Sequence, residues 1–396
     1  MKIITTKEKI SEILNRGVDE SLDKISLIKK LESGEQLRIK FGIDPTSPNI
    51  HIGRSVPLLK LRDLQKLGHK IILIIGDFTG VIGDTSDKDS ERPMLSDEII
   101  KTNMEKYVEQ AGKIINIDQC EIHYNSEWLK KLSYKEICEQ TNIFSINNFI
   151  ARENIKKRLD KGKRVSLREI LYPIMQGYDS VAVKADVEIG GTDQRFNLLA
   201  GRDLQRFYNQ LPQDIITNPL LEGLDGRKMS SSWDNVINLF DSPREMFGKV
   251  MSIKDELIIK YFWLVTRVNG KKIDEYEANI SKGSNPKNIK LKLAYEIVKF
   301  YHSKENADKE ETYFVNTFSK KIIPDDMPVI KLETGESLPA ILIKENIISS
   351  MSEWRRLVES GAVKKEDGTK IKDIRFKPVN KTILKIGKKQ FVKILT

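Results

Sequence analysis

The stretch KFGIDPTSPNIHIGR, residues 40–54, connects a short apolar run to a helical pattern through a polar turn with two prolines. The run at residues 37–43 predicts a buried strand, and the pattern at residues 53–67 predicts a helix. His51 and Gly53 then lie at the N-terminus of that helix, where unpaired backbone N–H groups and the helix dipole attract phosphate. Gly53 has no side chain, so a nucleotide can approach the backbone closely. The junction is a candidate nucleotide site, with a plain structural turn as the alternative.

Length and composition restrict the class of protein. At 396 residues the chain is long enough for two or three domains, and its 39% hydrophobic and 31% charged residues are typical of a soluble globular protein. The longest apolar run, residues 71–75, is far too short to span a bilayer, so we expect no membrane partner. Cys120 and Cys138 form neither a CxxC pair nor a Cys/His cluster. We therefore expect neither disulfides nor structural zinc, and a cytoplasmic location.

Strand and helix patterns alternate in the first 240 residues. Apolar runs predict strands at residues 37–43, 70–76, 121–124 and 181–189. Amphipathic patterns predict helices at residues 1–36, 53–67, 96–115 and 197–207. This alternation indicates an α/β fold, a Rossmann-like parallel sheet with helices on both faces in a catalytic domain of residues 1–240. Residues 128–171 are mostly helical, and we interpret them as an insertion and a candidate dimer surface.

The rest of the chain changes character twice. Residues 241–325 carry a helical pattern that ends in a polar segment with prolines, which predicts a separate α-helical domain and a linker. Residues 335–396 predict a small basic α+β domain, because from Lys331 to Thr396 there are 15 Lys and Arg residues against 8 Asp and Glu. Such an excess of positive charge is expected for a nucleic-acid partner, and a solvated lysine-rich face is the alternative.

A second motif lies far downstream, at residues 228–232, and reads Lys-Met-Ser-Ser-Ser. Together with His-Ile-Gly-Arg at residues 51–54, it resembles the two signatures of the class I aminoacyl-tRNA synthetases, HIGH and KMSKS. Amino-acid activation requires a carboxylate to attack the α-phosphate of ATP while negative charge accumulates on the leaving pyrophosphate. Positioning of the reactants and electrostatic stabilisation must provide most of the rate enhancement. A lysine on a mobile loop can stabilise the negative charge that develops on the pyrophosphate.

A third segment carries polar side chains at helical spacing. Tyr172, Gln176 and Asp179 stand at i, i+4 and i+7, and therefore on one face of a predicted helix. The sequence Gly-Gly-Thr-Asp-Gln follows at residues 190–194. A polar helical face suits a pocket for a small zwitterion with a polar tip, and it equally suits a stripe that faces solvent.

These segments, with residues 40–54, 76–84 and 228–232, resemble the bacterial-type tyrosyl-tRNA synthetases, and the similarity runs through almost the entire chain. The resemblance implies a tyrosine–tRNA ligase that uses ATP with Mg²⁺ to form tyrosyl-adenylate from L-tyrosine and then transfers the tyrosyl group to tRNA(Tyr). It also implies a homodimer without a tightly bound cofactor. Residues 337–396 resemble a small RNA-binding domain first described in a ribosomal protein, and the helical domain before it is expected to approach the anticodon.

The resemblance also implies roles for individual residues, and no metal ligands are among them. In tyrosine binding, where Asp179 accepts the hydrogen bond of the phenolic hydroxyl, the implied residues are Asp179, Gln176, Tyr172, Asp84, Asp44, Gln194, Thr79 and Gly42. In catalysis around the phosphates they are His51, Gly53, Lys228, Ser231, Lys88 and Arg92. In ATP and ribose binding they are Gly191, Asp193, Arg54 and Met229. In tRNA binding they are Arg355, Arg356, Lys388 and Lys389.

Three positions depart from the family pattern. Lys40 stands where one branch has a tyrosine that also contacts the phenolic hydroxyl. Arg54 replaces the last histidine of the first signature, and Ser231 replaces the second lysine of the loop signature. The absence of that lysine removes one positive charge near the pyrophosphate, so Lys228 must provide more of the charge stabilisation there.

The residues by themselves leave three alternatives open. A nucleotidyltransferase with the first signature would explain the ATP site but would not need the basic tail. A non-catalytic RNA-binding relative would explain the tail but not the combination of His51, Lys228 and Asp179. An aminoacyl-tRNA synthetase for tryptophan is the nearest enzymatic alternative, because Asp179 can also accept a hydrogen bond from an indole N–H.

Overall fold

A computed structural model describes residues 2–85, 94–319, 327–332, 336–379, 381–387 and 390–395. The chain divides into two compact units, Met1–Ala307 and Asp308–Thr396. Among the described residues, no helix is both long enough and apolar enough to cross a membrane.

A six-stranded sheet forms the centre of the first unit. Its strands are β1 (Glu20–Leu22), β2 (Arg38–Ile43), β3 (Lys70–Ile75), β4 (Glu121–Tyr124), β5 (Val187–Gly191) and β6 (Asp214–Asn218). They are arranged in the order β1-β6-β5-β2-β3-β4, and every pair is parallel except β1 with β6. The α/β fold with a parallel sheet is therefore confirmed. In β3, residues 71–75 are buried because helices cover both faces of the sheet.

The helices of the first unit follow the predicted alternation in outline. Before β5 they are α1 (Lys7–Asn15), α2 (Lys24–Glu32), α3 (Ile52–Lys66), α4 (Thr79–Ile82), α5 (Asp97–Met104), α6 (Tyr107–Gly112), α7 (Ser126–Leu129), α8 (Tyr134–Thr141), α9 (Ile146–Ile150), α10 (Glu153–Asp160) and α11 (Leu167–Val183). After β5 they are α12 (Arg195–Phe207), α13 (Pro243–Val250), α14 (Ile258–Val265), α15 (Gly270–Ser281) and α16 (Pro286–Tyr301). The helix α17 (Lys304–Phe314) spans the boundary between the two units.

The sheet opens between β2 and β5. These parallel strands pair only through Ile39 with Val187 and Lys40 with Glu188, so their carboxyl ends diverge. From this point the strand order runs one way through β2, β3 and β4 and the other way through β5 and β6. In open α/β sheets, ligands bind in the crevice at the carboxyl ends of strands where the strand order reverses.

Three local predictions are wrong. The helix predicted over residues 1–36 is interrupted by β1, which adds an antiparallel edge strand beside β6, a strand that the sequence patterns did not indicate. Residues 181–183 belong to α11 rather than to a strand, because Val181 and Val183 are buried on the helix and the chain leaves it at Lys184 with φ 50°. The helix predicted over residues 96–115 is two helices, because Lys106 leaves helical geometry with φ −104° and ψ 3°.

The helical segment that follows the sheet belongs to the first unit. Helix α13 packs on α16, and α14 packs on α3. The guanidinium of Arg16, which is buried, donates to four carbonyl groups at the C-terminal end of α14, those of Phe262, Trp263, Thr266 and Val268. The division into domains of residues 1–240, 241–325 and 335–396 stays a prediction.

The second unit contains a small α+β arrangement. Its strands β7 (Val329–Lys331), β8 (Val363–Lys365), β9 (Thr382–Ile386) and β10 (Gln390–Leu395) form a sheet in the order β7-β10-β9-β8. Two helices, α18 (Leu338–Lys344) and α19 (Met351–Glu359), pack with it around the fully buried Trp354. The indole Nε1 of Trp354 donates to the carbonyl oxygen of Ile374 at 2.9 Å, which satisfies its buried polar atom.

Candidate active site

A cavity of about 250 Å³ lies at the carboxyl ends of β2, β3, β5 and β6. Of the residues predicted for catalysis and for tyrosine or ATP binding, sixteen lie in the described part of the chain, and all sixteen line this cavity. Lys88 and Arg92 lie outside the described residues. The fold thus collects segments as distant as residues 42–54, 172–194 and 228–232 around one space.

Asp179 is the buried carboxylate of the cavity, with 3% of its surface exposed. Trp128 Nε1 donates to Asp179 Oδ1 at 2.7 Å, and Asn125 Nδ2 lies 3.3 Å from Oδ2. Burial raises the pKa of Asp179 to about 7, while the positive charge of Lys40 and these two hydrogen bonds oppose that rise. The carboxylate is therefore held in one orientation and retains lone pairs for a further donor.

A second carboxylate, Asp44, is oriented by two hydroxyl groups. Tyr172 OH donates to Asp44 Oδ2 at 2.8 Å, and Thr79 Oγ1 donates to Oδ1 at 2.8 Å. Burial and the negative charges of Asp44 and Asp84 raise the pKa of Tyr172 well above its ordinary value, so the phenol stays a neutral donor. Gly76 is required beside this group, because a Cβ there would lie 2.0 Å from Asp44 Oδ1.

Amide side chains connect the remaining polar groups of this end. Gln194 Nε2 donates to Asp84 Oδ2 at 2.7 Å. Asn197 Nδ2 donates to Gln176 Oε1 at 2.9 Å and to Gln194 Oε1 at 3.0 Å. Because each amide is fixed by another, their donors and acceptors have defined directions. With Asp44, this network lines one end of the cavity with acceptor oxygens, which suit a cationic group.

The opposite part of the cavity is built on the N-terminus of α3. His51 is the N-cap residue of this helix, and its imidazole is buried. Burial, with the nearby charges of Arg54 and Lys228, lowers the pKa of His51 to about 3, so the ring is neutral at physiological pH. Its Nδ1 has no hydrogen-bond partner among the described residues. A Cβ at Gly53 would lie 3.0 Å from that nitrogen, so a larger residue at position 53 would crowd the ring.

The loop at residues 228–232 is anchored to both sides of the cavity. Lys228 Nζ lies 3.0 Å from Asp193 Oδ2 and forms an ion pair with it. The backbone N–H of Gly53 donates to Met229 Sδ at 3.3 Å. Ser231 Oγ lies 3.4 Å from Ser47 Oγ. These contacts place the loop lysine and the helix N-terminus beside the same space.

The guanidinium of Arg54 contacts polar groups at the turn that borders the cavity. Its Nη1 donates to Tyr107 OH at 3.0 Å, and Nη2 donates to Thr46 Oγ1 at 3.2 Å. Tyr107 OH in turn donates to the carbonyl oxygen of Ser47 at 2.7 Å. Arg54 lines the cavity and also supports the turn at residues 44–48 that forms one of its walls.

The residues predicted for tRNA binding lie in the second unit. Arg355 and Arg356 are both exposed on α19, whereas Lys388 and Lys389 lie outside the described residues.

Sequence reasoning missed Trp128, Asn125 and Asn197. Trp128 and Asn125 follow the carboxyl end of β4, in α7 and just before it. Their position after a parallel strand is the signal that could have identified them, because site residues gather at the carboxyl ends of such strands. Within the described ranges, no group of three or more His, Cys, Asp and Glu side chains could hold a metal ion.

Comparison with known proteins relates the chain to one family. The family profile described as tRNA synthetases class I (W and Y) matches residues 32–319. The chain is 43% identical over 393 residues to a tyrosine–tRNA ligase of Thermotoga maritima, covering 98% of each chain. It is 43% identical over 387 residues to one of Francisella tularensis, covering 97% of this chain and 98% of that protein.

Solved structures show the same fold at lower identity. A crystal structure of tyrosyl-tRNA synthetase from Archaeoglobus fulgidus, complexed with L-tyrosine, matches with a TM-score of 0.61 and 22% identity. The match covers 77% of this chain and 99% of that one. A C-terminally truncated mitochondrial tyrosyl-tRNA synthetase of Aspergillus nidulans matches with a TM-score of 0.66 and 20% identity, over 79% of this chain and 95% of that one.

Proposed function

The chain belongs to the class I tRNA synthetases for tryptophan and tyrosine, as a tyrosine–tRNA ligase of the bacterial type, and from this premise we propose how its cavity performs the reaction. The observation that carries the assignment of roles is the buried Asp179, held by two donors at one end of the cavity. The loop lysine and the N-terminus of α3 lie at the other end. L-tyrosine and ATP would therefore bind with their reacting groups between these two ends.

Tyrosine binds with its hydroxyl group toward Asp179. The carboxylate accepts the hydrogen bond from the phenolic hydroxyl. Phenylalanine lacks this hydroxyl and would leave the buried carboxylate without a partner, a discrimination for which tyrosyl-tRNA synthetases are the well-known example. The α-ammonium group binds among Tyr172, Gln176 and Asp84, where acceptor oxygens are already oriented. Asp44 and Gln194 then border the carboxylate that attacks ATP.

ATP binds with its phosphates at the N-terminus of α3. A neutral His51 lines the cavity at this position and can form a hydrogen bond there, and the backbone N–H groups of the helix add positive potential. The ribose hydroxyls donate to Asp193 and thereby compete with Lys228, which lies 3.0 Å from that carboxylate. The released lysine can then stabilise the pyrophosphate as its charge develops. Mg²⁺ accompanies ATP through phosphate oxygens rather than through a set of protein ligands.

The second half of the reaction involves tRNA(Tyr). A ribose hydroxyl of the terminal adenosine attacks the carbonyl carbon of tyrosyl-adenylate, so that an ester bond to the tRNA forms, the acyl–phosphate bond breaks and AMP leaves. The exposed Arg355 and Arg356 on α19 suit the phosphate backbone of a folded RNA, which is read mainly by charge and shape. We assign the second unit to this contact.

A homodimer in the cytoplasm completes the proposal. The helical insertion exposes large apolar side chains, among them Tyr134, Ile146 and Leu167. Exposed apolar groups concentrated on one segment indicate a protein interface, and a second copy of this chain is the proposed partner. The two free cysteines agree with a reducing compartment.

The test is ATP–pyrophosphate exchange with tyrosine, phenylalanine and tryptophan offered separately. We expect exchange with tyrosine for the wild type and its loss in Asp179→Ala. The matched control is Asp203→Ala, which removes a half-exposed aspartate of α12 that pairs with Arg206 and does not line the cavity. Exchange with tryptophan instead of tyrosine, or unimpaired exchange in Asp179→Ala, would refute the assigned pocket.

A further inference from the structure

A lysine and a glutamate form a buried ion pair across the two strands that diverge at the cavity. Lys40 on β2 and Glu188 on β5 are direct partners in the sheet register. Lys40 Nζ lies 2.8 Å from Glu188 Oε1, and the two side chains are 0% and 1% exposed. Neither residue lines the cavity, so neither contacts a substrate bound there.

All the hydrogen-bonding capacity of the lysine is used within this cluster. Its ammonium group donates to the carbonyl oxygen of Gln176 at 3.0 Å and to Ser180 Oγ at 2.8 Å, besides Glu188. Glu188 Oε2 accepts from Ser180 Oγ at 3.0 Å and from Gln213 Nε2. An ammonium group has three donors, and all three have partners here. Since apolar residues can replace a buried ion pair with little loss of stability, stability alone does not account for this arrangement.

The contacts of Lys40 bracket one turn of α11. Gln176 and Ser180 are four residues apart, and Asp179 lies between them on the same turn. Gln176 and Asp179 both line the cavity. The ammonium group therefore holds the ends of the helical turn from which the side chain that faces tyrosine extends.

Two features of α11 bear on how this turn is held. Pro173 lies inside α11 and removes one backbone N–H from its hydrogen-bond ladder. On the side facing α12 the packing is already close, because a Cβ at Gly177 would lie 2.8 Å from Leu204 Cδ1 and 3.0 Å from Gly201 N. With α12 on one side and Lys40 on another, the rotation of the turn about the helix axis is restricted.

We propose that Lys40 is a positioning residue for tyrosine specificity: paired with Glu188, it holds the turn of α11 so that the Asp179 carboxylate meets the phenolic hydroxyl. Position 40 thus acts through the backbone of α11, not by contact with the substrate. The positive charge of Lys40 also lowers the pKa of Asp179, against the effect of burial, which favours the acceptor form of the carboxylate. This inference rests on the proposed function of Asp179.

The test compares tyrosine with phenylalanine in ATP–pyrophosphate exchange. Lys40→Met combined with Glu188→Gln removes both charges together, so that no unpaired buried charge remains. We expect the ratio of kcat/KM for tyrosine to kcat/KM for phenylalanine to fall by roughly tenfold, through a higher KM for tyrosine. Ser180→Ala, which keeps the ion pair and removes one contact with α11, should lower the ratio in the same direction by a smaller factor.

Lys60→Met is the matched control. Lys60 is another buried lysine of the first unit, bonded to the carbonyl oxygens of Ile13 and Arg16 and absent from the cavity lining. Its loss should lower stability without changing the tyrosine-to-phenylalanine ratio. An unchanged ratio in the folded double variant overturns the inference, and Ser180→Ala decides if the double variant does not fold. Failure of the proposed function is distinct, since Asp179→Ala would then retain exchange with tyrosine.

Discussion

Replacement of Asp179 by asparagine should change the pH dependence of stability. Burial raises the pKa of Asp179 from 3.8 to about 7, and the charge of Lys40 opposes this rise while that of Glu188 adds to it. A carboxyl group with a higher pKa in the folded chain stabilises the folded state fully below pH 3.8. That contribution is lost as the pH rises through about 7. Asp179→Asn has no such titration, so its stability relative to the wild type should increase with pH.

The magnitude follows from the two pKa values. The pKa interval from 3.8 to about 7 corresponds to a decrease in the free energy of unfolding on the order of 4 kcal/mol as the pH rises. Roughly 3 kcal/mol of this decrease falls between pH 5 and pH 8. The amide of asparagine offers one acceptor oxygen to the two donors Trp128 Nε1 and Asn125 Nδ2. The cost of this mismatch is the same at both pH values, so it cancels in the comparison.

Urea unfolding at pH 5 and pH 8, for the wild type and Asp179→Asn, measures the effect. The difference in the free energy of unfolding between the two proteins should shift by roughly 3 kcal/mol in favour of the variant at pH 8. Titrating groups that do not interact with Asp179 cancel in this comparison, and Asp203→Asn controls for the loss of one carboxylate. A difference that is equal at the two pH values within about 0.5 kcal/mol would refute the desolvated carboxylate and its assigned environment.

Three further predictions concern the phosphates, tRNA and assembly. Lys228→Ala should lower kcat for pyrophosphate exchange by roughly 100-fold with the KM for tyrosine unchanged, because the lysine acts on charge that develops at the pyrophosphate. Combined Arg355→Glu and Arg356→Glu should raise the KM for tRNA in aminoacylation and leave exchange unchanged, and an unaltered KM would contradict RNA binding by α19. Ile146→Asp and Leu167→Asp should each shift a dimer toward monomer in sedimentation velocity, whereas a monomeric wild type would contradict the proposed interface.

The local features of the active site could be predicted well from the sequence. The strand before residue 44 and the helix after His51 follow from a short apolar run and a 3.6-residue periodicity, which depend on neighbours along the chain. Tyr172, Gln176 and Asp179 all line the cavity from α11, and their helical spacing placed them on one face of that helix while leaving open whether the face meets a pocket or solvent.

Errors occurred where structure depends on pairing between distant segments. The edge strand β1 forms because Glu20–Leu22 pairs with β6, nearly 200 residues away, although its own sequence has the spacing of a helix. Val181 and Val183 have the composition of a strand, yet they complete a buried face of α11. Local propensity is weak compared with burial, so tertiary packing decided both cases.

The sequence by itself indicated the α/β class through periodicity, and its motifs carried the resemblance that implied the family and sixteen of the residues that line the cavity. The tertiary structure alone decided what those residues contact. Trp128 reaches Asp179 from another segment of the chain. Lys40 does not line the cavity and pairs with Glu188 instead, because successive side chains of a strand point to opposite faces and the register of β2 with β5 sets the pair. Contacts of this kind join residues separated by tens to hundreds of positions, and no pattern of neighbouring residues specifies them.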